Sequence, residues 1–200
     1  MILYCATTNK GKLREFQAAA EKLGRGIEVR LVPELESIDA PEETGATFAE
    51  NAALKAIYYS GFAPGPVFAD DSGLAVDALN GEPGVFSARF SGDGATDESN
   101  NDLLLERMKG VVQRSAKFVC VIALAEKGKL IETFEGEVAG ALLSSRRGSG
   151  GFGYDPLFYY APLSKTLAEL TEEEKLSVSH RGQALDRLFE WLSARESASR

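Results

Sequence analysis

Cysteine, histidine and long apolar segments are scarce in this 200-residue sequence, and each scarcity excludes a class of structure. The two cysteines, Cys5 and Cys120, lie in separate apolar runs without a CxxC spacing. We therefore expect buried thiols rather than a disulfide or a zinc site. No apolar run approaches the roughly 20 residues that a membrane helix needs, and Met1 is not followed by a basic leader. The sequence predicts a cytoplasmic protein without a membrane partner.

Positive charge is also in the minority. Lys and Arg number 22 against 30 Asp and Glu, so the formal net charge is −8. Because broad binding of a nucleic-acid backbone requires a basic surface, we expect no nucleic-acid partner. The length and the 44% hydrophobic content indicate one soluble domain over residues 1–200. Local groups of Lys and Arg beside glycine-rich turns then favour a phosphate pocket.

The most unusual residues present are two adjacent acids, Asp70 and Asp71, which follow the apolar run 67–69. Carboxylates at the end of a buried strand are costly unless they are paired or bind a cation. Ser72 and Gly73 predict a turn immediately after them. Ordinary turn chemistry accounts for Asp71 but leaves Asp70 unexplained, so the pair is a candidate metal or catalytic site.

Apolar periodicity predicts alternating strands and helices along the chain. Strands are expected at 2–6, 27–32, 67–69 continued at 74–76, 116–125, 130–138 and 157–160, and helices at 13–23, 47–59, 96–108, from 171 and across 185–192. The capping-box pattern, a Thr followed three residues later by Glu, marks two helix starts at Thr47 and Thr171. The run 116–125 is apolar on both faces, which predicts a central strand.

Two polar stretches could hold parts of a ligand. The loop 7–12, T-T-N-K-G-K, precedes a helix and offers backbone N–H groups, hydroxyls and lysines that suit phosphate. It does not match the Walker A pattern, and such loops also occur without a ligand. In the stretch 146–156, R-R-G-S-G-G-F-G-Y-D-P, glycines allow close approach and the aromatic residues can stack on a ring. A flexible linker is the alternative there, but linkers usually contain Ser and Gly without Phe and Tyr.

Several basic side chains accompany these stretches. Lys55 lies four residues after Asn51 on one helix face, which by spacing alone is typical of a solvated surface. His180 is the single histidine and sits beside Arg181 at a predicted helix start. Paired carboxylates without a zinc-type ligand set favour Mg²⁺, basic residues favour a phosphate ester, and the aromatic residues favour a ring. A nucleotide satisfies all three requirements.

Longer motifs extend these short patterns: A-T-T-N-K-G-K at 6–12, E-E-T-G-A-T-F-A-E-N-A-A-L-K-A at 42–56, A-D-D-S-G-L-A-V-D-A-L-N-G-E-P-G-V-F-S-A-R at 69–89, G-G-F-G-Y-D-P at 150–156 and E-K-L-S-V-S-H-R-G-Q-A-L at 174–185. In these five segments the chain resembles the inosine triphosphate pyrophosphatase family, enzymes that remove ITP, dITP and XTP. The resemblance implies an α/β fold with a long, twisted mixed sheet flanked by helices, two lobes with a substrate cleft between them, and a homodimer.

The resemblance also implies an activity and its residues. The expected reaction is Mg²⁺-dependent hydrolysis of a non-standard purine nucleoside triphosphate between the α and β phosphates, giving the monophosphate and pyrophosphate. The implied catalytic residues are Asp71, as the proton acceptor, Asp70 and Lys12, and the implied metal ligands are Glu42 and Asp71. The implied substrate-binding residues are Thr7, Thr8, Asn9, Lys10, Gly11, Lys12, Lys55, Ser72, Phe152, Gly153, Tyr154, Asp155, Lys175, His180 and Arg181.

Purine selection is expected to depend on donors directed toward O6, from Arg181 or from backbone N–H groups. Adenine presents an amino donor at that position, so buried donors would be left unpaired.

Two alternative functions remain. One is a pyrophosphatase of similar fold for pyrimidine or methylated nucleotides, and the other is a nucleotide-binding or RNA-binding module without catalysis. Missing metal acids would mark the second, whereas Glu42, Asp70 and Asp71 are all present.

Overall fold

The computed structural model describes residues 1–23 and 26–198. Within these residues one sheet has the strand order β2-β1-β3-β4-β5-β6-β7. The strands are β1 (Ile2–Cys5), β2 (Glu28–Leu31), β3 (Val67–Val76), β4 (Ser115–Glu126), β5 (Lys129–Leu142), β6 (Phe158–Tyr160) and β7 (Lys165–Thr166). The helices are α1 (Lys10–Leu23), α2 (Phe48–Tyr59), α3 (Asp97–Arg107), α4 (Glu172–Val178) and α5 (His180–Ala198), with short 3₁₀ turns between elements.

The sheet is mixed. Strand β1 runs parallel to both β2 and β3, with Cys5 opposite Leu31 and Phe68, and β6 runs antiparallel to β5 and β7. Strand β4 is buried along almost its whole length and occupies the middle of the order. This arrangement confirms the predicted α/β fold and the predicted central strand.

The chain divides into two compact units. The first comprises Met1–Asp71, Cys120–Gly136 and His180–Arg200, and the second comprises Ser72–Val119 and Glu137–Ser179. The first unit therefore contains α1, α2 and α5, and the second contains α3 and α4. The apolar core of the second unit includes Leu74, Leu104, Phe118, Leu157 and Phe158.

Helix α2 begins as the sequence predicts. The Thr47 side chain accepts a hydrogen bond from the backbone N–H of Glu50, and the Glu50 carboxylate accepts from the backbone N–H of Thr47. Thr171 and Glu174 make the same reciprocal pair at the start of α4. Each capping box satisfies two backbone donors that the helix leaves without an internal acceptor, so these two starts are fixed locally.

The predicted turn at Ser72 and Gly73 is wrong, because β3 continues unbroken through both residues. The glycine serves packing instead. A Cβ at position 73 would lie 2.3 Å from the Ser87 hydroxyl oxygen and 2.5 Å from the Gly84 carbonyl oxygen. The Ser87 hydroxyl also accepts a hydrogen bond from the Leu74 N–H at 2.9 Å. Gly73, which suggested a turn, therefore allows Ser87 and Gly84 to pack closely against a continuous strand.

Candidate active site

The two acids on β3 have separate sets of partners in the first unit. The Lys12 ammonium lies 2.9 Å from an Asp70 carboxylate oxygen, and Arg181 Nη2 lies 3.4 Å from the same atom. Asp71 instead faces α2, with the Lys55 ammonium 3.1 Å away and the Asn51 amide donating at 3.3 Å. Successive side chains on a strand point to opposite faces of the sheet, so adjacent residues reach different helices.

The two environments move the acidities of these carboxyl groups in opposite directions. Burial alone would raise the pKa of Asp70, but the charges of Lys12, Arg181 and Lys55 outweigh it and hold that pKa well below its ordinary range. Burial also raises the pKa of Asp71, and there the opposing charge of Lys55 does not fully offset it. Asp70 is thus a permanently ionised partner for cations, whereas Asp71 has the greater tendency to accept a proton.

Lys55 joins Asp71 to the acidic loop that precedes α2. Its ammonium lies 2.8 Å from Glu43 and 3.1 Å from Asp71. Although burial opposes its charge, these neighbouring carboxylates raise the pKa of Lys55 above its usual value. The Asn51 side chain adds a second link, because its oxygen accepts from the Gly45 N–H at 2.8 Å. The solvated-face interpretation of Asn51 and Lys55 is therefore wrong, since the face packs against Asp71.

Helix α1 begins at Lys10, inside the predicted phosphate loop and three residues before the start that the apolar periodicity predicts. The Asn9 side-chain oxygen accepts from the N–H groups of Gly11 at 2.8 Å and Lys12 at 3.0 Å, so the helix begins at Lys10. This is an N-cap, in which a polar side chain satisfies the first free donors of a helix. Gly11 and Lys12 thus lie in the first turn, and Lys12 reaches Asp70 from it.

A pocket of about 760 Å³ lies in the first unit beside this loop. Its lining combines the loop residues with the chain that follows β2: Thr7, Thr8, Asn9, Lys10, Leu13, Leu31, Val32, Pro33, Glu34, Leu35, Glu36 and Ser37. Strands β1 and β2 are parallel, so the pocket adjoins their carboxyl ends. That edge is the usual position of ligands in open α/β sheets.

Arg181 is held on α5 by acids from two other elements. Its Nη1 lies 2.5 Å from Glu15 on α1 and its Nη2 lies 3.4 Å from Asp70. Only 2% of the residue is exposed, and despite burial the carboxylates raise the pKa of the guanidinium further. His180, the first residue of α5, is also buried. The direct contribution of both residues to base binding stays a prediction.

Sequence reasoning missed Glu15 and Gly136, which help to place Arg181. Glu15 lies three residues after Lys12 on one face of α1, so its helical spacing from a predicted site residue was the available signal. A Cβ at Gly136 would lie 2.1 Å from the His180 carbonyl oxygen. The glycine thus allows the first turn of α5 to approach β5 closely, which no local pattern indicates.

In the second unit, residues 150–156 form a loop that we call the aromatic loop. The Asp155 carboxylate accepts from the Phe152 N–H at 2.9 Å and pairs with the Lys175 ammonium at 2.6 Å. The same ammonium lies 4.6 Å from the centroid of the half-buried Phe152 ring, a cation–π contact. Gly151 has φ 69°, and a Cβ there would meet the Asp155 carboxylate at 2.0 Å. Lys175, predicted to bind substrate, is thus in contact with this loop.

The other predicted residues of this unit differ in exposure. Tyr154 is buried, and its hydroxyl donates to the Ser87 carbonyl oxygen at 2.8 Å. Burial raises the pKa of this phenol, so it remains a neutral donor. Ser72 is partly buried on β3. Gly153 is held by α3 through Asp97 and Asn101, two contacts that sequence reasoning missed.

No group of three or more His, Cys, Asp and Glu side chains is arranged to hold a metal in the part of the chain that the structure describes. Of the two predicted metal ligands, Asp71 is buried and Glu42 is exposed beside Glu43.

Cys5 and Cys120 are buried free thiols, as predicted. Across residues 1–23 and 26–198, none of the helices is long and apolar enough to cross a membrane.

The chain is similar to a known protein family and to individual relatives over most of its length. The model of the Ham1 family matches residues 3–191. A dITP/XTP pyrophosphatase of Acidobacterium capsulatum is 53% identical over 92% of this chain and 95% of the relative. One of Desulfotalea psychrophila is 48% identical over 98% of this chain and 90% of the relative.

Two solved structures show the same fold. The Ham1 protein of Staphylococcus aureus has a TM-score of 0.85 and 39% identity, covering 98% of this chain and 100% of that one. A HAM1 protein from Coxiella burnetii has a TM-score of 0.86 and 40% identity, covering 97% and 99%. These likenesses extend over nearly the whole length of each chain.

Proposed function

The chain belongs to the Ham1 family, and we propose that it hydrolyses ITP, dITP and XTP to the monophosphate and pyrophosphate. Relatives named dITP/XTP pyrophosphatase support the substrate class. The observation that carries the proposal is Asp71, a buried carboxylate with a raised pKa beside the charged Lys55. Such a group suits a general base near neutral pH better than a permanently ionised one does.

In this mechanism Asp71 accepts a proton from the water that attacks at the α–β phosphate linkage. The linkage breaks, and its bridging oxygen leaves with pyrophosphate. Lys12 and Lys55 stabilise the negative charge that grows on the phosphate oxygens, since each ammonium lies in a largely buried setting where its field is strong. Asp70 keeps Lys12 oriented through their 2.9 Å contact.

We assign the polyphosphate to the polar loop before α1 and the base to the aromatic loop. Thr7, Thr8 and Lys10 line the 760 Å³ pocket of the first unit. Phe152 offers an aromatic ring beside the Lys175 ammonium. The N–H groups of Phe152 and Gly153 already donate to Asp155 and Asp97, so the donors to O6 of hypoxanthine or xanthine would be other backbone N–H groups or Arg181. Adenine would place an amino donor against those donors, which costs binding free energy because polar groups stay unpaired.

The product and the base preference test this proposal. With purified protein we expect inosine monophosphate and pyrophosphate from ITP, comparable products from XTP, and much slower turnover of ATP. Slow turnover of GTP is also expected, but it must come from the 2-amino group, since guanine shares O6 and N1–H with hypoxanthine. Chromatography of the nucleotides with a pyrophosphate assay measures both. Orthophosphate as the first product, or equal rates on all four substrates, would refute it. Preference for dTTP or UTP would instead support the pyrimidine alternative.

The proposal includes Mg²⁺, which the carboxylates of Asp71 and Glu42 suit by their chemistry. Asp71 is a buried carboxylate, and the Glu42–Glu43 pair precedes the helix whose Lys55 connects Glu43 to Asp71. Carboxylate oxygens are the ligands that Mg²⁺ prefers. Asp71 and Glu42 would hold it, and a bound ion would neutralise charge on phosphate oxygens.

Removing the metal should therefore abolish turnover. We expect EDTA to stop ITP hydrolysis and added Mg²⁺ to restore it. Calorimetric titration with Mg²⁺ and an unreactive triphosphate analogue should show binding that Glu42→Gln weakens, while Glu21→Gln, a change at an exposed acid outside the pocket, serves as the acidic control. Full activity in excess EDTA would contradict the assignment.

We further propose a cytoplasmic homodimer, as the family resemblance implies. The two buried free thiols suit a reducing compartment. The first unit also exposes an aromatic cluster in which the Tyr58 and Phe62 rings lie 5.3 Å apart, next to the half-exposed Ile57. Exposed apolar groups of this kind often mark a contact between protein chains.

A further inference from the structure

The peptide units of Gly153 are held on both sides by the first turns of α3. The Gly153 N–H donates to the Asp97 carboxylate at 2.7 Å, and its carbonyl oxygen accepts from the Asn101 amide at 2.8 Å. Gly153 has φ 61°, in the left-handed region that favours glycine. The centre of the aromatic loop is thus fixed in an unusual backbone conformation by two side chains four residues apart on one helix face.

Asn101 is itself held in one orientation. Its nitrogen donates both to the Gly153 carbonyl and, at 2.6 Å, to the Asp97 carbonyl. Only 3% of the residue is exposed. Among the residues that the structure describes, its side-chain oxygen is buried without a hydrogen-bond partner, which costs free energy. The Asn101 amide nitrogen is thus bonded to the loop, whereas the amide oxygen is not.

A second contact joins the segment before the loop to the same helix. Arg146 Nη2 donates to the Asp102 carboxylate at 2.8 Å and to the Glu98 carbonyl oxygen at 2.9 Å. These bonds are more exposed than those of Asn101. Helix α3 thus contacts both the segment that enters the aromatic loop and the loop's own centre.

We propose that Asp97 and Asn101 are positioning residues that hold the aromatic loop in its base-binding conformation. The inference rests on the proposed function for what the loop binds. Gly153 directly follows Phe152, whose ring faces Lys175, so release of the Gly153 peptide changes the placement of the ring. Both residues bind the backbone of the loop at Gly153, whereas the proposed proton transfer takes place at Asp71. Their loss therefore weakens substrate binding without changing the proton transfer at Asp71.

Asp97→Ala is expected to raise KM for ITP about tenfold, with kcat within about twofold, because it removes a charge-assisted hydrogen bond from the loop. Asp97→Asn keeps an oxygen that accepts from Gly153, so its KM should remain within about twofold of the wild type. Glu98→Ala is the matched control, since it also removes an acid from the first turn of α3 but none of the Gly153 contacts. Asn101→Ala should repeat the KM effect.

Hydrogen exchange supplies a readout independent of turnover. Amide exchange in the peptide containing Gly153 should become faster in Asp97→Ala and Asn101→Ala, and should stay unchanged in Asp97→Asn and Glu98→Ala. Unchanged exchange in the alanine variants, or kcat that falls as much as kcat/KM, would overturn the positioning role. If the wild type does not convert ITP to the monophosphate, the proposed function fails instead, and exchange still decides whether α3 holds the loop.

Discussion

Asp71→Asn is expected to lower kcat for ITP by about 10²–10⁴-fold, the usual contribution of a positioned general base. Asparagine keeps the size of the side chain but cannot take up the proton of the attacking water. Folding should survive, because burial raises the pKa of Asp71 and its ionised form therefore gives the folded state no net stabilisation at neutral pH. Lys55 also retains Glu43 as a partner at 2.8 Å.

Single-turnover kinetics and a thermal melt of the same preparation test this result. Asp93→Asn provides the control, because it makes the same chemical change at an exposed loop residue. Activity near that of the control would exclude Asp71 as the base. A large drop in melting temperature would show that lost folding, and not lost proton transfer, explains an inactive variant.

Asp70→Asn should instead destabilise the fold, by about 3–5 kcal/mol, the cost of removing one partner from a buried ion pair. The pKa of Asp70 is lowered in the folded state, so its charge stabilises that state at pH values above the carboxyl's unfolded pKa, and the contribution is lost as pH falls through the folded pKa. At neutral pH the full contribution is present. Without it, Lys12 and Arg181 lose a shared carboxylate.

Urea denaturation at neutral pH measures the free energy of unfolding, with Asp71→Asn as the paired control one residue away. The expected pattern is a marked loss of stability for Asp70→Asn and little change for Asp71→Asn. Equal stability of the two variants would contradict the separation of roles between adjacent acids.

Local patterns predicted much of this protein because the responsible interactions are local. The start of α2 depends on Thr47 and Glu50, three residues apart, and both are visible in the sequence. The central strand β4 follows from a run that is apolar on both faces. The α/β class and the acids of β3 were accessible for the same reason.

Features that depend on residues far apart in the chain could not be predicted from the sequence. Gly73 was predicted to lie in a turn, because its packing against Ser87 and Gly84 is visible only in the structure. The partner of Arg181, Glu15, lies 166 positions away in the chain. No spacing rule connects such residues, because packing of distant elements brings them together.

The opposite orientation of Asp70 and Asp71 couples the activity of the protein to correct folding. A slip of β3 by one residue would turn every side chain of the strand to the other face. It would turn Asp70 toward the face of Lys55 and Asp71 toward the face of Lys12 and Arg181, but only one of the two acids would reach the other's place, and the apolar side chains of the strand would be misplaced as well. A misregistered chain would thus lose the proposed base and the buried charge balance at once, so we expect a chain with this error to be both unstable and inactive.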